Sequence, residues 1–296
     1  MLRLESLAAL HDAHRDALKA RVASFELRGK HFDSSQRPHL MGVVNLSSDS
    51  WYRESVVLNT EAAVLRGSRL SVEGADLVDV GAESTILNAV RVDEAGQRSV
   101  LPPVVRELTQ AGVLVSVETY HPTVTEACLK AGAAVLNLTG TRDNEEHYRL
   151  VADHDAGVII CYVAGDHVRA VENLALAEDH TQTLHDYFAR QIELAVNCGV
   201  KRIWIDPGMG FYYKNLQDST ERVRYQMRTL LQTFRLRTLG WPTCHALPHA
   251  FEFFGEEVRS AEGFFAVLAL LGKTDLLRTH EVARIMGVVR TMGAGE

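Results

Sequence analysis

Four cysteines in 296 residues, Cys128, Cys161, Cys198 and Cys244, are too scattered for a disulfide framework, and no two form a C-x-x-C pair. They fall mostly in apolar segments, where reduced thiols sit, so the sequence points to a cytoplasmic protein. Long apolar runs are also absent. No stretch approaches the ~18 consecutive apolar residues of a membrane-spanning helix. The segment from Met1 to Asp33 has neither an uninterrupted apolar core nor a small-residue cleavage site, which excludes an export signal of the usual kind. Basic charge is sparse as well: 31 Lys and Arg stand against 38 Asp and Glu, for a net charge of −7, and no cluster of five or more basic residues occurs. That argues against nucleic acid and membrane surfaces as partners and leaves a small molecule.

What the chain has instead is alternation. With 46% hydrophobic and 23% charged residues it has material for a closed core, and its length is near the ~250 residues usual for one α/β barrel. Short β-branched runs alternate with helix-length segments: HLMGVVNL (39–46), DLVDVG (76–81), VLVSVET (113–119), AVLNLTG (134–140), GVIICYV (157–163), RIWIDPG (202–208), PTCHAL (242–247) and LLRTH (276–280). Helical patterns lie between them over 60–72, 122–131, 179–198, 219–238 and 261–271. Eight such units without a Ser/Gly-rich linker predict an α/β fold, a single TIM (β/α)8 barrel over 38–296; a doubly wound open sheet is the alternative. Residues 1–37 are set apart as an N-terminal helical extension, with Leu4, Leu7, Ala8 and Leu10 on one face. Gly74, Gly112, Gly132, Gly157 and Gly199, each just ahead of an apolar residue, read as left-handed helix stops.

In such barrels the chemistry sits at the C-terminal ends of the strands. The ends of these runs are polar: Asn45; Asp79 with Glu83, Ser84 and Thr85; Glu118 and Thr119; Asn137; Tyr162; Asp206; His245; Arg278 and His280. Any one alone serves as a helix cap. Together, around one mouth, they cost several kcal/mol unless a ligand or network satisfies them. Glu118, Asn137 and Asp206 offer acceptors plus one amide, which suits a flat heterocycle with an amino group beside a ring N–H, such as a pterin. Arg278 and His280 suit an anion, and Asn45 a phosphate oxygen or Mg²⁺. A Zn²⁺ site at Cys244, His245 and His249 is disfavoured by Pro248 and the lack of a fourth ligand, so His245 is expected to face the mouth. His121, His147, His154, His180 and His185 fall on helix starts or exposed faces, where solvated side chains are expected.

At this point the residues resemble the dihydropteroate synthase family. MGVVNLSSDSW, GADLVDVGAEST, VSVETY, AVLNLTG, IWIDPGMGF and LLRTHEV stand in the family's order, across 38–290. The ordered set is specific, whereas DPG or EST alone is weak. The resemblance implies a (β/α)8 transferase, typically a homodimer, that joins a dihydropterin pyrophosphate to p-aminobenzoate with Mg²⁺ assisting. Carried over, Asn45, Asp206 and Arg278 are the catalytic group, and Asn45 the Mg²⁺ ligand. The pterin and pyrophosphate set is Glu118, Asn137, Asp206, Phe211, Arg278 and His280. The second-substrate region is Ser84, Thr85, Ile86 and His249.

The sequence departs from the family in four places. Ser47 to Glu54 lacks the Pro and Gly of the first loop. Ile86 stands for an Arg after Ser-Thr, and Leu247-Pro248-His249 stands for Ser-Arg-Lys. Glu118 stands for Asp and moves a carboxylate by over ~1 Å. Arg53, Lys214 and His249 are candidates for the lost positive charge. Four readings follow: a synthase with an altered amine site, a pterin enzyme with another acceptor, a catalytically silent paralogue, and a methyltetrahydrofolate-dependent corrinoid methyltransferase.

Overall fold

The computed structural model describes residues 2–47, 59–83, 91–174, 177, 179–211 and 213–294. Each expected apolar run forms a strand: β3 His39–Asn45, β4 Leu77–Gly81, β5 Val115–Thr119, β6 Val135–Leu138, β7 Gly157–Cys161, β8 Ile203–Asp206, β9 Cys244–Ala246 and β10 Leu276–Thr279. All eight pair in parallel in the order β8-β7-β6-β5-β4-β3-β10-β9. The two ends approach each other where Ile205 bridges Thr243 and its N–H donates to the Pro242 carbonyl at 3.0 Å. This is the (β/α)8 barrel. The strands read as continuous apolar runs because one face fills the barrel and the other lies under helices.

The helices expected from periodicity are α2 Thr60–Val72, α4 Pro122–Lys130, α6 His180–Asn197, α7 Ser219–Gln232 and α9 Val258–Leu271. α3 Glu94–Gln110, α5 Asn144–Asp153, α8 Phe251–Phe254 and α10 Val282–Gly293 complete the layer. α7 runs on as a 3-10 helix, Thr233–Leu239, that stops at Gly240 with φ 81°. Gly74, Gly112, Gly132 and Gly199 hold the left-handed positions assigned to them. Gly157 does not: at that junction Asp155 takes positive φ (48°), and Gly157 opens β7 against the Trp204 ring.

The N-terminal segment carries the expected helix and, in addition, a hairpin. Its helix α1 is Leu4–Ala13 and buries no residue, although Leu7 and Leu10 pack partly against the core. The remainder includes a hairpin of β1 Phe25–Leu27 and β2 Lys30–Phe32, closed by Arg28 and Gly29, both at positive φ (50° and 79°). That pair of dihedrals is what a two-residue turn between twisted strands demands. The hairpin floors the barrel: Phe25 and Phe32 meet Trp204 edge-on at 4.7 and 5.3 Å between ring centroids. Asp76, at the base of β4, fixes the hairpin and its connection to β3. It accepts two hydrogen bonds from Arg37, at 2.9 and 3.0 Å, and pairs with Lys30 at 2.8 Å.

Candidate active site

Side chains alternate across a strand, so the register decides which polar residues share the barrel interior. Asp79 lies level with Ser116, Glu118 with Asn137, Cys161 with Asp206, and Arg278 with Ala246. Six of these, Asp79, Ser116, Glu118, Asn137, Cys161 and Arg278, form one hydrogen-bonded network. Arg278 donates from Nε to Asp79 Oδ2 at 2.8 Å and from Nη2 to Glu118 Oε2 at 2.6 Å. Asn137 Nδ2 donates to the same Asp79 oxygen at 3.0 Å, Ser116 Oγ to the other at 2.7 Å, and Cys161 Sγ to Asn137 Oδ1 at 3.3 Å. Asp206 accepts from the Gly208 amide at 2.8 Å, so the turn that ends β8 aims its carboxylate.

That turn depends on Gly208. Its φ is +74°, and a Cβ there would meet the Tyr162 carbonyl oxygen at 2.1 Å. The DPG sequence is therefore a device for holding the acid at the mouth.

Burial and neighbouring carboxylates raise the proton affinity of two of these acids. Burial pushes Glu118 up to about 7, opposed by Arg278 and reinforced by Asp79, Glu83 and Asp206. Burial likewise pushes Asp206 up to about 6, against the Gly208 amide and Arg278. Arg278 is held still more firmly in its charged form by Asp79 and Glu118, although burial opposes this. The mouth thus holds a cation and a surplus of acceptors.

The residues named from sequence divide as follows. Glu118, Asn137 and Arg278 are hydrogen-bonded in this network, Asp206 stands close enough to feel the Arg278 charge, and Arg278 lies between Asp79 and Glu118 rather than opposite the acids. Asn45 ends β3, and its Oδ1 accepts from the Ser47 amide at 2.9 Å. Phe211, His249, Arg278 and His280 line a cleft of about 90 Å³ beside the network. Ser84, Thr85, Ile86 and most of the first loop, including Arg53, lie outside the described residues. Glu83, just before that gap, accepts from Tyr120 Oη at 2.7 Å, and the Tyr120 ring stacks on His167 at 4.2 Å.

Three expectations are corrected. His245 does not face the mouth: β9 alternates Cys244 and Ala246 inward, and His245 turns outward to Thr233 Oγ1, 2.6 Å away. Tyr162 likewise points out, edge-on to Tyr187 at 4.9 Å, and Cys161 is the inward residue of β7. His147 and His180 are buried rather than solvated, beside Thr125 Oγ1 at 3.0 Å and Tyr225 Oη at 3.1 Å.

Asp79 stands outside the ligand set expected from sequence, although it is the hub of the network and fully buried. An acid midway along LVDVG was the available signal. Two further residues were not expected at the site: Arg222 and Gln226 of α7, which line the same cleft as His249.

A barrel whose mouth gathers an amide, several carboxylates and one guanidinium is a class of site suited to a small, donor-rich molecule. The sequence family described as pterin binding enzyme matches residues 41–247, and the chain belongs to it. Its relatives are dihydropteroate synthases. The chain is 27% identical over 265 residues to dihydropteroate synthase of Bacillus subtilis, covering 86% of this chain and 87% of that one. Among solved structures, dihydropteroate synthase from Thermus thermophilus in complex with 6HMPPP superposes with a TM-score of 0.72 at 27% identity, covering 92% of this chain and 99% of that one. The enzyme from Xanthomonas albilineans in complex with 7,8-dihydropteroate gives 0.74 at 26% identity, covering 92% and 98%.

Proposed function

We propose that the chain is a dihydropteroate synthase-type transferase that moves a dihydropterin methylene group from pyrophosphate to an amine. The observation that carries this reading is the network itself, in which Arg278 and Asn137 are bound to Asp79, Arg278 also to Glu118, and Asp206 is aimed by the Gly208 amide at the end of β8. Asp206 accepts the amino and ring N–H donors of the pterin edge, and Asn137 supplies an amide beside it. The methylene–oxygen bond breaks with its electron pair going to pyrophosphate, the amine nitrogen forms the new bond to carbon, and its proton is then lost. The acidic pocket favours the positive charge that develops on the pterin methylene over the neutral ground state. His280, on the rim, borders the departing anion.

Mg²⁺ fits this site as an ion shared with the substrate. Asn45 offers one oxygen, and among the described residues no three His, Cys, Asp or Glu gather to hold a metal alone. Mg²⁺ takes few protein ligands and keeps waters and phosphate oxygens. When bound, it offsets the charge of the leaving pyrophosphate.

The four unpaired cysteines support a reducing compartment, which makes the cytoplasm our proposed location. No helix among the described residues is long and apolar enough to cross a membrane. A homodimer is the proposed assembly. The exposed Leu2, Leu4 and Phe253 beside the groove between α1 and α7 support it as apolar surface in need of cover.

The experiment is to mix the protein with Mg²⁺, dihydropterin pyrophosphate and an aromatic amine, p-aminobenzoate included, and follow the condensed product by chromatography. Product at an enzyme-like rate is expected. Failure to bind the pterin would overturn the reading, whereas pterin binding without product from any amine would leave a silent pterin-binding protein.

A further inference from the structure

The cleft beside the mouth carries two polar side chains that the transferase reading leaves without a task. Arg222 and Gln226 are spaced i, i+4 on α7, so they emerge on the same helix face. Both are 7% exposed, and both line the cleft with Phe211, His249, Arg278 and His280. Gln226 donates from Nε2 to the Met209 carbonyl at 3.2 Å. Because a carbonyl only accepts, this bond fixes which way the amide faces. Its Oε1 is then buried, with no hydrogen-bond partner among the described residues. A buried acceptor without a donor is costly, and it calls for a ligand that donates.

Arg222 supplies the complementary half. It pairs with Glu252 of α8, whose carboxylate offsets much of its charge. Of the other basic residues that line the cleft, Arg278 is already bound to Asp79 and Glu118, and burial pushes both imidazoles down, His249 to about 4 and His280 well below its ordinary value, so both are neutral at neutral pH. A bare carboxylate entering here would meet two guanidiniums already paired with carboxylates, two neutral imidazoles, the Glu252 carboxylate nearby and the Gln226 oxygen, an acceptor facing an acceptor. A carboxamide would meet a donor in Arg222 and an acceptor in Gln226.

We infer that Arg222 and Gln226 determine the specificity of the acceptor site and select an amine whose far end both accepts and donates hydrogen bonds, a carboxamide-like group, over one that ends in a carboxylate. The inference rests on the transferase reading in placing the acceptor in this cleft, next to Arg278. Arg222 thus supplies a cation near the position where the family's basic motif is missing, but from a different element and in a charge-balanced setting. A site built around a substrate N–H discriminates strongly against an analogue that lacks it, because its buried acceptor is left unpaired.

The test is calorimetric titration of the full chain with p-aminobenzamide and with p-aminobenzoate, in the presence of oxidised 6-hydroxymethylpterin pyrophosphate, which occupies the pterin site without reacting. We expect the amide to bind at least about tenfold tighter than the acid. In Gln226→Met, whose folding is checked by its thermal transition, that ratio is expected to fall toward one. Equal or tighter binding of the acid, no binding of either, or an unchanged ratio in a folded Gln226→Met protein would overturn the inference. Should Gln226→Met fail to fold, the ratio measured on the unaltered chain decides alone. Titration with the pterin pyrophosphate by itself reads the underlying function separately: acceptor preference without pterin binding would leave the cleft assignment standing and remove the transferase.

Discussion

The guanidinium Nε of Arg278 on β10 lies 2.8 Å from Asp79 Oδ2 on β4, two strands away across β3. The bond joins strands that are not neighbours in the sheet, so it ties the mouth together across the barrel rather than along it. The second arm of Arg278 reaches Glu118 at 2.6 Å. Two carboxylates share one cation in a buried space, where breaking a pair costs more than the pair itself contributes.

Arg278→Met is therefore expected to destabilise the folded chain by about 3 kcal/mol or more at pH 8, since it leaves carboxylates buried without a counterion. The loss should be smaller at pH 6. There Glu118, already pushed up to about 7 and now without the cation that restrains it, takes up a proton and removes the stranded charge. Denaturant unfolding at the two pH values checks this. An equal loss at both would mean that Glu118 does not titrate with the network.

Asp206→Asn is expected to weaken pterin binding by at least about tenfold while leaving the thermal transition near its original value. The amide can still accept from Gly208, as Asp206 does at 2.8 Å, but it cannot accept both donors of the pterin edge. Titration with 6-hydroxymethylpterin reads the change. Unchanged affinity in a folded variant would remove Asp206 from the pocket.

Protons compete with the pterin. Glu118 and Asp206 have folded-state proton affinities raised to about 7 and about 6, above the 4.5 and 3.8 of exposed groups. A carboxylate raised in this way binds more protons folded than unfolded. Its contribution to stability is accordingly full below the unfolded value and declines as pH rises through the folded one. The unliganded chain should lose this contribution between about pH 4 and 7, and pterin affinity should rise over about pH 5 to 8 as the acceptors ionise. Glu118→Gln should flatten the upper part of both curves. Affinity that is flat with pH would show that the ionised forms are not what the pterin reads.

The fold was legible because strands buried on both faces are written as apolar β-branched runs that survive without knowledge of their neighbours. The acids and amides at their ends were legible for the same reason, since Asp206 and Asn137 interrupt otherwise apolar text. What depends on register was not. His245 and Arg278 lie on neighbouring strands, and only the pairing of Leu277 with His245 and Arg278 with Ala246 shows that His245 belongs to the outer face. Arg222 and Gln226 were hidden in another way: on a helix, polar residues at i and i+4 look like a solvated stripe until a wall closes over them. The hairpin was missed because its two short strands gain their meaning from Trp204, far away in sequence.

Gly208→Ala tests whether the turn and the acid act together. The left-handed φ of +74° is strained for alanine, and the new methyl would lie 2.1 Å from the Tyr162 carbonyl oxygen, a backbone atom that cannot swing aside. The turn must therefore shift, and with it the amide that orients Asp206. The expected result is a double loss: a thermal transition lowered by several degrees and pterin affinity reduced at least as far as in Asp206→Asn. The two variants then separate the roles, because Asp206→Asn removes the acceptor from an intact turn and Gly208→Ala misplaces an intact acceptor. Full pterin affinity in Gly208→Ala would mean that the carboxylate finds its position without the turn, and the Pro-Gly geometry would lose its part in the site.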